Sequence, residues 1–197
     1  MTIAELPAAA PPAVRRFTRK EYYQMFELGF FQNQRVELID GEVIYMSPQK
    51  SPHALTIAIV TGWLVHALGT SFTVRGQLPL VASNWTEPEP DFAIIPGSPE
   101  SQKEHPATAL LIIEVADNSL AYDRNKAAIY AAAKVPEYWI INLQQRRLEV
   151  YRHPTVDMAA DYGFAYRETF IRRANQQIKP LRLPIDTTDV SRLFPPR

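Results

Sequence analysis

The strongest constraint on the fold is a pair of short apolar runs, each marked by one carboxylate. Asp91-Phe92-Ala93-Ile94-Ile95 follows Pro90, and Ala109-Leu110-Leu111-Ile112-Ile113-Glu114-Val115 carries its acid near the end. Both are too short for globular helices and rich in β-branched side chains, so they read as strands buried on both faces. Leaving a carboxylate unpaired in such an interior costs roughly 2 kcal/mol or more even after relaxation. Asp91 and Glu114 are therefore expected to be paired, to sit at a sheet edge, or to hold a cation. Lys126 follows a short way downstream. Two carboxylates and an ammonium on successive elements can bind a hard cation beside a phosphate.

Seventeen prolines interrupt the chain and argue against a long helical bundle. At 197 residues and 46% hydrophobic, the chain can bury one sizeable core. The expected organisation is a flexible arm over residues 1–14 and a single domain over 15–197, with a core at about 18–155 and a strand-rich extension over 156–197. The first residues lack the basic start and apolar centre of a signal peptide. The longest apolar stretch, residues 54–68, falls short of the ~20 residues of a spanning helix. A soluble, cytoplasmic protein with no membrane partner is the expectation. With no cysteine in the chain, thiolate metal sites, disulfides and cysteine nucleophiles are excluded. Any metal must sit on oxygen or imidazole.

Formal charge sums to zero, so no overall field announces a polyanionic partner. Its distribution is uneven. Residues 87–123 hold eight acids against Lys103 alone, whereas residues 146–197 hold ten Lys and Arg against six acids. Arg15, Arg16, Arg19 and Lys20 form a second basic cluster. This division suits an acidic metal centre flanked by phosphate-contacting surfaces, although basic clusters are also ordinary solvated faces.

Along the chain, a helix is predicted from Thr18 or Arg19 to Leu28, ending near Gly29. Arg35–Ile39 and Glu42–Met46 flank Asp40-Gly41, the strongest hairpin signal present. Glu37 lies on the opposite face of its strand from Val36 and Leu38. Ser51-Pro52-His53 reads as an N-cap, a proline in the first turn and the start of a helix to Leu68, with Gly69 as its stop. His53 in that first turn could bond a carboxylate or phosphate; His66 lies about 220° further round the helix and cannot join it as a ligand pair. Phe72–Val74 and Leu78–Val81 read as short strands. Asp123 is read as the cap of a helix to about Lys134, aiming Lys126 back toward the strand ends. Pro136–Asn142 and Arg147–Tyr151 complete a second hairpin, with Tyr138 and Trp139 as core.

The ordered set Val36-Glu37-Leu38-Ile39-Asp40-Gly41-Glu42, His53, Pro90-Asp91, Ile113-Glu114-Val115, Tyr122-Asp123-Arg124-Asn125-Lys126 and Val135-Pro136-Glu137-Tyr138-Trp139-Ile140 resembles the bacterial restriction-endonuclease-like family within the PD-(D/E)XK nuclease superfamily. The resemblance spans about residues 18–155. It implies an α/β (α+β) restriction-endonuclease-like fold, a central mixed β-sheet flanked by helices with N-terminal helix and hairpin additions. It further implies that Asp91, Glu114 and Glu37 are metal-binding carboxylates and Lys126 the catalytic lysine, with His53 and Asp123 in support. One departure stands out: the superfamily lysine two residues after the strand acid is Ala116 here. A lysine at the start of the following helix takes its place in the family, which nominates Lys126.

The activity implied is Mg²⁺- or Mn²⁺-dependent hydrolysis of DNA, with a homodimer serving to cut two strands. The alternative is a catalytically silent module that keeps the fold and binds DNA or a protein. Each position also has a plain structural use. Lys126 could pair with Asp123 across a helical turn, worth about 0.2–0.5 kcal/mol. Glu37 could pair with Arg35 or Arg124, and Asp91 could be a turn residue.

Overall fold

In a computed structural model that describes residues 13–196, the two acid-marked runs are neighbouring strands at the centre of a six-stranded sheet. In chain order the elements are α1 (Arg19–Glu27), β1 (Val36–Ile39), β2 (Glu42–Tyr45), α2 (Ser51–Leu68), β3 (Phe72–Gly76), β4 (Phe92–Pro96), β5 (Leu111–Ala116), α3 (Leu120–Ala132), β6 (Glu137–Asn142), β7 (Arg147–Val156), β8 (Phe164–Arg173), β9 (Gln177–Ile178) and β10 (Thr188–Asp189). The sheet runs β3-β4-β5-β6-β7-β8. Only β5 and β6 are parallel within it, joined by α3, and the other pairs are antiparallel. This is the mixed, helix-flanked sheet that the family resemblance implies. The proposed arm falls outside the described residues except for Ala13 and Val14.

Both faces of the sheet are covered, which explains why its central strands are apolar throughout rather than alternating. Val60, Leu64 and Leu68 of α2, with Leu183, Ile185, Val190, Leu193 and Phe194 from the C-terminal segment, pack against Phe92, Ile113, Val115 and Trp139. Tyr130 of α3 and Ala133 pack on the other face against Ala93, Ile112, Ala116, Tyr138 and Ile140. Trp139 is fully buried and stacks on Trp63 with 6.4 Å between ring centroids. As expected for Tyr138 and Trp139, both are core. Although α2 carries no charged side chain and is long and apolar enough to cross a membrane by those measures alone, its Thr56–Val60–Leu64–Leu68 stripe is buried against the sheet.

Beside this sheet stand α1 and the β1–β2 hairpin, sealed by Tyr22, Phe31, Val36 and Leu38. Thr18 and Glu21 form a capping box at the start of α1. The hairpin turn places Asp40 at φ 50° and Gly41 at φ 76°, and a Cβ on Gly41 would lie 2.6 Å from Cβ of Arg16. Only glycine fits that turn. An isolated bridge between Leu38 and Glu87 ties the hairpin to the segment leading into β4, and so carries Glu37 to the main sheet.

Three sequence expectations change. Ser51 is the first helical residue of α2, after Lys50 as N-cap. Leu78–Val81 is not a strand: Pro79 has no amide proton, and the amides of Leu80 and Val81 bond separate segments, at Pro88 and Pro106. Ser119, not Asp123, occupies the cap position of α3, so Lys126 lies in the second turn. β8, within the strand-rich extension expected over 156–197, pairs with β7 and forms an edge of the central sheet.

Candidate active site

Asp91 immediately precedes β4, and Glu114 sits inside β5, its neighbour. Their carboxylates lock the two strands reciprocally. Asp91 Oδ2 accepts from the Val115 amide at 2.8 Å, while Glu114 Oε2 accepts from the Asp91 amide at 3.0 Å. Asp91 Oδ1 faces His53 Nε2 and Gln77 Nε2, each at 3.2 Å. Glu114 Oε1 receives Lys126 Nζ at 3.1 Å and Tyr130 Oη at 2.8 Å. Each acid therefore has one doubly engaged oxygen and one engaged by a single amide. An ionised carboxylate has about four acceptor positions. Capacity remains on Asp91 Oδ2 and Glu114 Oε2.

Lys126 joins the hairpin to the sheet. Its ammonium lies 3.0 Å from Glu37 Oε2 and 3.1 Å from Glu114 Oε1, with only 3% of its side chain exposed. Glu37 is fully buried; it also accepts from the Glu89 amide at 2.9 Å and from Tyr122 Oη at 2.7 Å. The departure at Ala116 has a geometric explanation. Residues 114 and 116 share one face of β5, the face on which α3 packs. A lysine from α3 thus arrives over the strand surface where a lysine at 116 would stand, and the small Ala116 leaves it room.

These groups line a cavity of about 340 Å³ whose walls include β2, the segment to Lys50 and residues 117–119. Glu37, Asp91, Glu114, Asp117 and Asp123 face Arg35, Lys50 and Lys126 there, five acids against three cations. The excess shows in the proton affinities. Burial pushes the Glu114 carboxyl up to about 8; Lys126 opposes that rise and Asp91 adds to it. Burial likewise lifts Asp123 to about 6 against the Ser119 hydrogen bond. At Asp91 burial is outweighed by His53, the Val115 amide and Gln77, and its carboxyl lies below the ordinary range. Burial disfavours the Lys126 ammonium, yet Glu114 and Glu37 hold its pKa above the usual lysine value. His53 follows the same pattern: burial lowers it, Asp91 raises it more, and the net shift is upward.

The structure thus brings Asp91, Glu114, Glu37, Lys126, His53 and Asp123 to one cavity. Glu37 anchors Lys126, and no group of three or more His, Asp or Glu among the described residues is arranged to hold a metal ion. Asp91 and Glu114, locked by each other's strand amides, form a carboxylate pair, and the Lys126 ammonium stands between Glu114 and Glu37. That pair suits Mg²⁺ or Mn²⁺ by its hard oxygen donors, since such ions commonly use one or two carboxylates and complete an octahedron with water and phosphate. Asp123 accepts from Ser119 at 2.6 Å rather than capping the helix. Neither Arg35 nor Arg124 pairs with Glu37; Arg124 binds Glu149 through two hydrogen bonds, and Arg35 reaches Glu89. His66 is exposed, away from the site.

Tyr122, Tyr130 and Gln77 were not singled out in the sequence. For the tyrosines a signal existed: they stand four residues either side of Lys126, hence on its helix face. Gln77 had none, lying between two expected strands.

Residues 19–187 match the Uma2 family, described as "putative restriction endonuclease". No curated protein matches. Among solved structures, the chain is similar to a putative nuclease belonging to DUF820 from Anabaena variabilis ATCC 29413, with 13% identity, a TM-score of 0.59, and coverage of 81% of this chain and 89% of that one. At that identity the likeness speaks for the fold. The family match extends over most of the chain, from the first helix through β8 and beyond, and on that ground the chain belongs to the Uma2 family.

Proposed function

We propose that this chain is a divalent-metal-dependent endonuclease hydrolysing DNA phosphodiester bonds in the cytoplasm, with Mg²⁺ or Mn²⁺ held by Asp91 and Glu114. The observation that carries the reading is the reciprocal Asp91–Glu114 lock beside a buried lysine in an acid-rich cavity. Five acids against three cations repel a phosphate, and two of the acids are held at the expense of raised proton affinity. A bound cation removes both difficulties. When bound, such an ion supplies a lowered pKa for a coordinated water and neutralisation of charge on the phosphoryl oxygens.

The chain's own groups then divide the work. The Val115 and Asp91 amides fix the two carboxylates on rigid strands, so neither must be ordered when substrate arrives. His53 and Gln77 orient the other oxygen of Asp91. Lys126 remains protonated because Glu37 and Glu114 flank it, which suits it to stabilise negative charge on phosphate and not to abstract a proton. Tyr122 and the Glu89 amide hold Glu37, and through it the lysine.

The test is nicking of supercoiled plasmid in Mg²⁺ or Mn²⁺ by wild type and Asp91→Ala purified in parallel. Metal-dependent cleavage lost in the variant, and abolished by EDTA, supports the reading. Equal cleavage by both proteins, or none by wild type with either ion, overturns it.

A further inference from the structure

The acid-lined cavity has a neighbour of a different kind. A second cavity, about 510 Å³, shares Arg35 and the segment from Tyr45 to Gln49 with the first. No carboxylate lines it. Its walls carry the amides of Asn33, Gln34, Gln49 and Gln77 and the ring of Tyr45, which is 62% exposed. Gln77 connects the two spaces, since its Nε2 donates to Asp91 Oδ1 while the residue lines the second cavity. Asn33 and Gln77 both hold left-handed backbone, at φ 61° and 54°. For a glutamine that conformation is uncommon and costs stability.

Each amide side chain offers a donor and an acceptor a short distance apart, the pattern that matches the edge of a nucleobase. An exposed tyrosine ring supplies a stacking face that any base can use. The volume falls within the ~300–1,000 Å³ of pockets that enclose small organic groups. Arg35, on the wall common to both cavities, is placed where a backbone phosphate would pass between them. The pairing of an acidic cavity with an amide-and-aromatic one corresponds to the two halves of a nucleotide, phosphate and base.

We propose that the second cavity is a subsite for an unpaired nucleobase next to the scissile phosphate, making the preferred substrate a single strand or a duplex with an unpaired nucleotide at the cut. This rests on the nuclease reading of the first cavity. A base inside a duplex has its Watson–Crick edge paired and its faces stacked, so it must leave the helix to reach Tyr45 and the amides. A strand that is already unpaired avoids that cost.

The test measures binding separately from cleavage. Fluorescence anisotropy of the full chain in Ca²⁺ compares a single-stranded oligonucleotide, its duplex, and the duplex with one bulged nucleotide, using wild type, Tyr45→Ala and Tyr45→Phe. The expected result is at least tenfold tighter binding of the single strand and the bulge than of the duplex. Tyr45→Ala should lose about tenfold on the unpaired substrates, and Tyr45→Phe should retain affinity because stacking needs only the ring. Cleavage in Mn²⁺ should follow the same order. Equal affinity for all three, unaffected by Tyr45→Ala, overturns the subsite, and the nuclease reading then stands if cleavage persists. The Tyr45-dependent preference without cleavage by any sample supports the subsite and counts against catalysis. Absence of binding to every nucleic acid overturns both.

Discussion

Replacing Lys126 by methionine removes the cation that bridges two buried carboxylates while keeping most of the side-chain volume. Glu37 would retain Tyr122 and the Glu89 amide, and Glu114 would retain Tyr130 and the Asp91 amide. Among the described residues, neither would keep a positive partner within hydrogen-bond reach. Breaking a buried ion pair by deleting one partner costs about 3–5 kcal/mol, because the remaining charge stays desolvated. In a chain of this size 1 kcal/mol moves Tm by about 2–4 °C, so a fall of about 6–20 °C is expected for Lys126→Met at pH 8. The loss should shrink on acidification. Burial raises the Glu114 carboxyl to about 8 even with Lys126 lowering it, so without the lysine folding binds a proton at Glu114 and the variant regains stability as pH falls toward 4.5. Adding Glu37→Gln to Lys126→Met should restore part of the loss by removing one stranded charge. Urea melts at pH 5 and pH 8 on the two variants and wild type would measure this. A Lys126→Met midpoint within about 1 kcal/mol of wild type at pH 8, or a loss identical at both pH values, would refute the buried charge cluster.

Three further outcomes are expected. Glu149, buried between Arg124 and Arg147, has its carboxyl depressed to about 2: burial raises it, and the two guanidinium groups lower it more. Its contribution is fully present above 4.5 and fades as pH falls toward 2, so the stability gap between wild type and Glu149→Gln in acid melts should close over that window. Metal binding must displace the Glu114 proton, so calorimetric Mn²⁺ affinity in the absence of nucleic acid should rise between pH 6 and about 8 and then level; a flat profile contradicts Glu114 as a ligand. Trp139→Ala, at a fully buried position stacked on Trp63, should destabilise by about 3–5 kcal/mol in urea, without abolishing Mn²⁺ binding if the variant is assayed while folded.

What the sequence made legible was governed by local chemistry. Asp91 and Glu114 stood out because an acid in a β-branched run must have a partner, and the hairpin stood out because Asp40-Gly41 suits the turn that twisted strands require. The misread positions were decided by distant contacts. Both Ser119 and Asp123 are cap-type residues, and only the packing of α3 on β5 settles that the helix begins at Leu120. Leu78–Val81 has strand composition, but its amides are drawn to two different segments. The edge strand β8 carries Arg167, Arg172 and Arg173 beside Glu168, so its sequence looks solvated although every residue pairs with or lies along β7. Glu37, on the opposite face of its strand from Val36 and Leu38, enters the acidic interior. Its service as the lysine's counter-ion depends on Tyr122 and Glu89, 85 and 52 residues away in the chain, and no local pattern reveals such a partner.

The central claim is that Asp91 and Glu114, without Glu37, hold the divalent ion. Crystals soaked in Mn²⁺ and measured at a wavelength where manganese scatters anomalously test it directly. The account predicts a single peak in the cavity at about 2.1 Å from one oxygen each of Asp91 and Glu114, with Lys126 still on Glu37. No peak at saturating Mn²⁺, or one ligated by Glu37 with Lys126 displaced, would contradict it.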